Sequence, residues 1–333
     1  MAGTRIWTEI DYERDGKQVG WLYLHHSVTR SAYGELMIPI AVIKNGKGPT
    51  AFLMSGNHGD EYEGQVALTK LIRSLEPDQI KGRVIILPAA NMPAALDGAR
   101  VSPIDQGNLN RSFPGDPDGG PTRQIAYYID SVLFPMADLY ADLHSGGSSL
   151  DYVPFISIHE CEDASINARG MEALKIFGAE HAIVWAANKD ARYSTNASTL
   201  RGVVSVGSEF GGGGSVSVSS VRMVERGLLN LLRHASIMVG KPELGPKPTR
   251  LMVVGGKEDF VYAPEPGLFE PFAELGQWIK KGDPCGQVHF VDNPARAPVP
   301  CFYKNSGMVI CKRHFGRVER GDCVAHLAND RKA

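Results

Sequence analysis

PTAFLMSGNHGDEYEG (residues 49–64) sets out the architecture in sixteen residues. Residues 49–56 are a short apolar run of buried-strand length that ends on Gly56. The apolar positions that follow, Ala67, Leu68, Leu71, Ile72 and Leu75, recur at helical spacing until Pro77 stops them. A strand feeding a helix through a glycine turn then repeats along the chain. RVIILPAAN (83–91) and LYADLHSGG (139–147) read as further buried strands, and AIVWA and GVVSVGSEF as two more. Between them lie helical patterns over Gln124–Leu133, 163–178 (with Asp163 able to cap) and Val221–Met238. Strands alternating with helices predict an α/β fold with a mainly parallel or mixed sheet covered on both faces. Residues 1–48, containing WLYLHH and ELMIPIAVIKNG, read as a β-rich lead into that unit.

The pattern changes at GKPELGPKPTR (240–250), a stretch rich in proline and glycine. The expected organisation is an α/β domain over 1–240, a linker over 241–250, and a small all-β barrel or sandwich over 251–333. No fixed-period repeat is present. The 333 residues carry 35 Lys+Arg against 37 Asp+Glu, a balance that argues against a nucleic-acid or membrane-surface binder. No apolar run reaches the ~18 residues of a membrane span, and MAGTRIWTEIDYERDG has no signal-peptide core, so the cytoplasm is the expected compartment. Five cysteines without C-x-x-C spacing predict neither a disulfide framework nor a thiolate metal site.

The strand ends hold the chemistry, because ligands in open α/β sheets bind outside the carboxyl ends of strands. His58 and Glu61, spaced H-x-x-E at the first strand–helix junction, can converge on one ion. His144 ends another buried strand, and Asp142, two residues earlier, faces the same side and can orient it. Two histidines and one glutamate with an open fourth position form a known catalytic zinc set. Glu209 precedes four glycines in SEFGGGG, where a carboxylate could take a proton from an attacking water. Asn110 and Arg111 in GNLNRSFPG, with Arg100 upstream, suit a substrate carboxylate or a developing oxyanion. Other histidines read blandly: His25 and His26 would point to opposite faces of a strand, His159 and Cys161 have no third ligand, and His289, His314 and His326 read as surface or turn residues.

NHGDEYEG, NLNRSFPG, DLHSGG and EFGGGG, in that order over about residues 50–240, resemble the succinylglutamate desuccinylase/aspartoacylase family of zinc-carboxypeptidase-like hydrolases. The small C-terminal β-domain also fits. Within the family the chain is most similar to the branch that removes acetyl groups from N-acetyl-diaminobutyrate in ectoine breakdown. The resemblance implies one Zn2+ per chain on His58, Glu61 and His144. It implies Glu209 as the base that activates water and then protonates the leaving amine, and Arg100 as the group polarising the scissile carbonyl. It gives Asn110 and Arg111 the substrate carboxylate, places Asp142 behind the ligands, and matches Arg201 to a further carboxylate-binding arginine. The expected partner is a small N-acyl amino acid, with no nucleic acid or membrane, in a homodimer or homotetramer. A diaminobutyrate side chain would need an acidic or carbonyl partner, and Asp116, Asp151 and Glu160 are open by type. An acidic substrate such as succinylglutamate or acetylaspartate is the alternative, and a non-enzymatic binding protein with the β-domain as interaction module stands behind both.

Overall fold

A computed structural model describes residues 3–245 and 247–331, so Pro246 of the expected linker lies outside the described residues. The elements run β1 (Ile6–Thr8), β2 (Gly16–His25), β3 (Glu35–Asn45), β4 (Thr50–Ser55), α1 (Tyr62–Ser74), β5 (Gly82–Leu87), α2 (Met92–Asp97), α3 (Pro121–Tyr128), β6 (Leu139–Leu143), β7 (Leu150–Tyr152) and β8 (Phe155–His159). They continue as α4 (Ala164–Phe177), β9 (His181–Trp185), α5 (Ser194–Leu200), β10 (Val204–Glu209), α6 (Val218–His234), β11 (Arg250–Val254), β12 (Phe260–Tyr262), β13 (Gly267–Pro271), β14 (Trp278–Ile279), β15 (Pro284–His289), β16 (Val299–Phe302), β17 (Gly307–Arg313), β18 (Arg317–Val318) and β19 (Cys323–Asp330).

Every residue of β4, β5 and β6 is buried, as an apolar run covered on both faces requires. These strands and β10 pair in parallel in the order β5-β4-β6-β10. One face packs α1, α4 and α6 through Leu68, Leu71, Leu174, Phe177, Val224, Leu228 and Leu231. The other packs α3 and its continuation through Phe52, Ile125, Ile129, Phe134 and Tyr140. Asp163 caps α4 as its position predicts, its Oδ1 accepting from Ser165 N at 2.8 Å and Ile166 N at 3.1 Å.

The sheet is mixed, with a parallel centre. On one side the β-rich lead adds antiparallel pairs β1-β2-β3-β5. On the other, β8 reverses direction against β10, and β9 and β11 then run parallel to β8. The sheet therefore crosses the boundary expected near residue 250, because β11 pairs with β9 and β19 with β11. Beyond it, the described chain is short strands with one 3-10 turn, Lys257–Asp259, and a second sheet ordered β16-β15-β13-β18. The C-terminal strands also reach back toward the first unit, since β17 pairs with β7.

His326 corrects the surface reading. It is 2 % exposed on β19, packed against Tyr152, Phe260 and Trp185. Its Nε2 lies 3.2 Å from Tyr152 Oη, its Nδ1 has no partner, and burial pushes its pKa down to about 3. An unfolded chain takes up that proton near 6.5, the folded chain only near 3. His326 thus contributes stability that is present above about pH 6.5 and is lost as pH falls, by up to about 1.4 kcal/mol per pH unit. Urea unfolding of His326→Leu should show a flatter pH dependence over that window than the parent. An unchanged slope would mean that His326 is already protonated in the fold.

Candidate metal centre

The turn between β4 and α1 is built around a close backbone approach. A Cβ on Gly59 would stand 2.0 Å from both the carbonyl carbon and oxygen of Ala94 in α2, and Gly59 N donates to Ala99 O at 2.8 Å. Overpacking of this kind costs about 1–3 kcal/mol, and here the clash is with backbone, which cannot rotate away. Gly59→Ala should lower the urea midpoint accordingly. A midpoint equal to the parent's would show that the turn has room to move.

That turn aims His58 inward, while Glu61 stands at the N-cap of α1 with its carboxylate turned away from the helix amides. His144, at the end of β6, completes the cluster. One ligand atom from each of His58, Glu61 and His144 lies within 4.8 Å of the others, and all three side chains are buried. His58 Nδ1 is 2.6 Å from Glu61 Oε1, and His144 Nδ1 is 2.7 Å from Glu61 Oε2. The far nitrogens are held from behind: His144 Nε2 sits 2.9 Å from Asp142 Oδ2, and His58 Nε2 sits 3.2 Å from Asn108 Oδ1. Both imidazoles are thus oriented by outer oxygens so that their Nδ1 atoms meet at one carboxylate, the donor set and outer support of a metal site. The residues fit a divalent ion.

The electrostatics agree. Burial works against charge on Glu61, yet the His58 and His144 imidazoles hold its carboxyl below the usual range. Burial likewise opposes charge on His144, but Asp142 and Glu61 on its two nitrogens raise it well above an ordinary histidine. Asp142 Oδ2 also accepts from Asn57 Nδ2 at 2.9 Å and from Ser194 Oγ. Glu209 ends β10, beside β6, where Phe210 N donates to His144 O at 3.0 Å. Burial, and next the charge of Glu61, push Glu209 well above the usual carboxyl range. Its Oε2 is buried and has no hydrogen-bond partner among the described residues, which leaves it as a proton-holding group next to the cluster.

The structure brings most of the expected residues to this place. Arg100 Nη1 is 3.3 Å from His58 Nδ1 and 3.4 Å from Glu61 Oε1, with the side chain half exposed. Asn110 Nδ2 lies 3.4 Å from His144 Nε2, and its Oδ1 accepts from Ser194 N at 2.9 Å. Arg111 lies over the Tyr193 ring at 4.1 Å, its Nη1 donating to Asn110 O. Arg201 is not brought in. It caps the C-terminal end of α5 and pairs with the buried Asp130, before β10 begins. Six strand residues, roughly 20 Å, separate that end from Glu209, so the fold sets Arg201 apart from the cluster.

Of the acidic residues open for a side-chain amine, Asp116 pairs with Arg123, Asp151 with His314 and Glu160 with Arg331. Sequence reasoning missed Asn57, Asn108 and Ser194. Asn57 had a signal, since it adjoins His58 in the same turn and a buried Asp142 needs donors. Ser194 had none, because it opens the polar helix STNASTL, which has no apolar period.

A buried two-histidine, one-glutamate cluster beside a free carboxylate defines the metallohydrolase class of site. Residues 47–235 match the model of the succinylglutamate desuccinylase/aspartoacylase catalytic domain, and the chain belongs to that family. It is 41% identical over 320 residues to an N-alpha-acetyl-L-2,4-diaminobutyric acid deacetylase of Halomonas elongata, spanning 96% of this chain and 93% of that protein. The fold matches the product-bound ectoine utilization protein EutE (DoeB) from Ruegeria pomeroyi with a TM-score of 0.94, at 43% identity over 98% of this chain and 99% of the other. A succinylglutamate desuccinylase/aspartoacylase from Rhodobacter sphaeroides matches with the same TM-score at 42% identity, over 98% of this chain and 100% of its own. Among the described residues no helix is long and apolar enough to cross a membrane.

Proposed function

We propose that the chain hydrolyses N-alpha-acetyl-L-2,4-diaminobutyrate to acetate and 2,4-diaminobutyrate, a cytoplasmic step of ectoine breakdown. The observation that carries the substrate is the near full-length identity to the Halomonas elongata deacetylase. Hydrolysis is supported by the His58–Glu61–His144 cluster beside the unpartnered Glu209 oxygen.

In this reading His58, Glu61 and His144 hold one Zn2+ per chain. When bound, the ion acts as a Lewis acid that lowers the pKa of water and polarises a carbonyl. Glu209 Oε2 takes a proton from the attacking water. The water oxygen bonds to the acetyl carbon, and the guanidinium of Arg100 meets the negative charge that develops on the acetyl oxygen. As the C–N bond breaks, Glu209 delivers its proton to the departing nitrogen, so no net proton is consumed by the protein. Asp142 keeps His144 facing the cluster. Asn110 and Arg111 hold the amino-acid carboxylate, with Tyr193 fixing the Arg111 plane from below. Self-association into a homodimer or homotetramer belongs to the same reading, with the exposed Trp7, Trp21 and Met37 of β1–β3 supplying apolar surface.

The test of substrate is a panel: N-alpha-acetyl-diaminobutyrate, its isomer acetylated on the side-chain nitrogen, acetylaspartate and succinylglutamate, each at equal concentration. Acetate release from the first alone, or far ahead of the rest, is expected. Turnover confined to the acidic compounds would keep the hydrolase and overturn the substrate.

A further inference from the structure

Glu63 is a buried carboxylate that hydrolysis, as laid out above, does not use. It stands in the first turn of α1, two residues after Glu61, and is 1 % exposed. Burying such a group is costly unless its oxygens are hydrogen-bonded, and both are. Oε2 accepts from Ser145 Oγ at 2.7 Å, and Oε1 accepts from Ser217 N at 3.2 Å. Ser145 directly follows His144, and its own N donates to Glu61 Oε2 at 3.2 Å. Ser217 caps α6 and closes the 210–217 loop that leaves Glu209. One side chain therefore ties three elements: the helix behind Glu61, the strand end carrying His144, and the loop that carries Glu209.

That loop needs an anchor. Gly211, Gly212, Gly213 and Gly214 all have positive φ, at 122°, 155°, 67° and 62°. Glycine loses more backbone freedom on ordering than any other residue, and these four offer no side chain to pack. The loop is held by backbone bonds such as Gly213 N to Leu150 O at 3.0 Å and Gly214 N to Gly147 O at 2.8 Å. Among the described residues, Glu63 is the one side chain from outside the loop that accepts a hydrogen bond from its backbone. It also lies against Gly211, where a Cβ would meet Oε1 at 3.4 Å. Gly211 is two residues from Glu209.

We propose that Glu63 is a positioning residue: it fixes the Glu209-bearing loop relative to His144, and so sets the distance between the proton-moving carboxylate and the cluster. The proposal rests on Glu209 being the base. A small misplacement of a reacting group is enough to cost about 100-fold in rate, whereas the side chain of Glu63 bonds Ser145 and Ser217 and not the substrate-binding Arg111.

The experiment uses the full-length, metal-loaded enzyme with N-alpha-acetyl-diaminobutyrate and compares Glu63→Ala, Glu63→Gln, Ser145→Ala and the Glu63→Ala/Ser145→Ala double variant, with Glu209→Gln beside them. Glu63→Ala should lower kcat by about tenfold or more while KM and metal content stay at parental values. Glu63→Gln should recover most of the loss, since its amide oxygen still accepts one of the two donors. Ser145→Ala should lose part of kcat, and the double variant should be no worse than Glu63→Ala alone. Unchanged kcat in Glu63→Ala, additive losses in the double variant, or metal lost together with kcat would each overturn the proposal. Should Glu63→Ala fail to fold, Ser145→Ala decides: an unchanged kcat there also overturns it. Retained turnover in Glu209→Gln would bring down the base assignment itself, whereas an inactive Glu209→Gln with a normal Glu63→Ala would remove only the brace.

Discussion

Replacing Glu209 by Gln should leave the metal content at the parental level and lower kcat by about 100- to 10,000-fold, the range that positioned proton transfer contributes. The glutamine keeps the size and one acceptor oxygen of the parent side chain, so the packing at the end of β10 is preserved. It cannot take up and return a proton. Glu209 is not among the three clustered ligand residues, and its Oε2 has no protein partner to lose, so the fold and the ion site have little reason to respond. Parental KM with a collapsed kcat would separate this role from substrate binding. Near-normal turnover would show that another group moves the proton, and burial of a raised carboxyl at this position would then be without a purpose in the reaction.

Replacing His144 by Ala should have the larger consequence, removing metal and turnover together. The imidazole stands between two buried carboxylates, Glu61 at 2.7 Å and Asp142 at 2.9 Å. Its loss takes away one of the three proposed ligands and leaves Asp142 Oδ2 without the imidazole nitrogen it meets at 2.9 Å. Loss of an outer partner alone costs about 10- to 100-fold in metal affinity, so loss of a ligand should cost more. Uncompensated buried charge adds about 3–5 kcal/mol of instability. Metal analysis and chemical denaturation on the same sample read both effects. A variant that retained stoichiometric metal would remove His144 from the ligand set.

The parts of this site that could be read in the sequence are those where a polar residue breaks an otherwise buried run. His58 and Glu61 follow β4, His144 and Asp142 close β6, and Glu209 closes β10. In each case an apolar strand has no structural use for the group at its end. What could not be read depends on how strands are placed beside one another. The reversal of β8 against β10 is a pairing choice that neither strand encodes alone, and β11 reads as the start of a separate unit although it extends the same sheet. Arg201 is matched to a carboxylate-binding arginine by resemblance alone, and the strand between it and Glu209 carries the two to opposite ends. Ser194 lies on a helix with no apolar stripe, because three of its four buried residues, Ser194, Asn196 and Ser198, are polar, and Ser194 meets Asp142 and Asn110 while Ala197 alone packs into the hydrophobic core. His326 looked like a turn residue because its aromatic surroundings come from Tyr152, Trp185 and Phe260, far away along the chain.

In the function proposed here, one ion held by His58, Glu61 and His144 makes this chain a deacetylase. The direct measurement is acetate release from N-alpha-acetyl-L-2,4-diaminobutyrate by chelator-stripped protein titrated with Zn2+. Activity should be absent at the start, rise in proportion to added zinc, and level off at one ion per chain. Full acetate release from the stripped protein, unchanged by zinc, would contradict it.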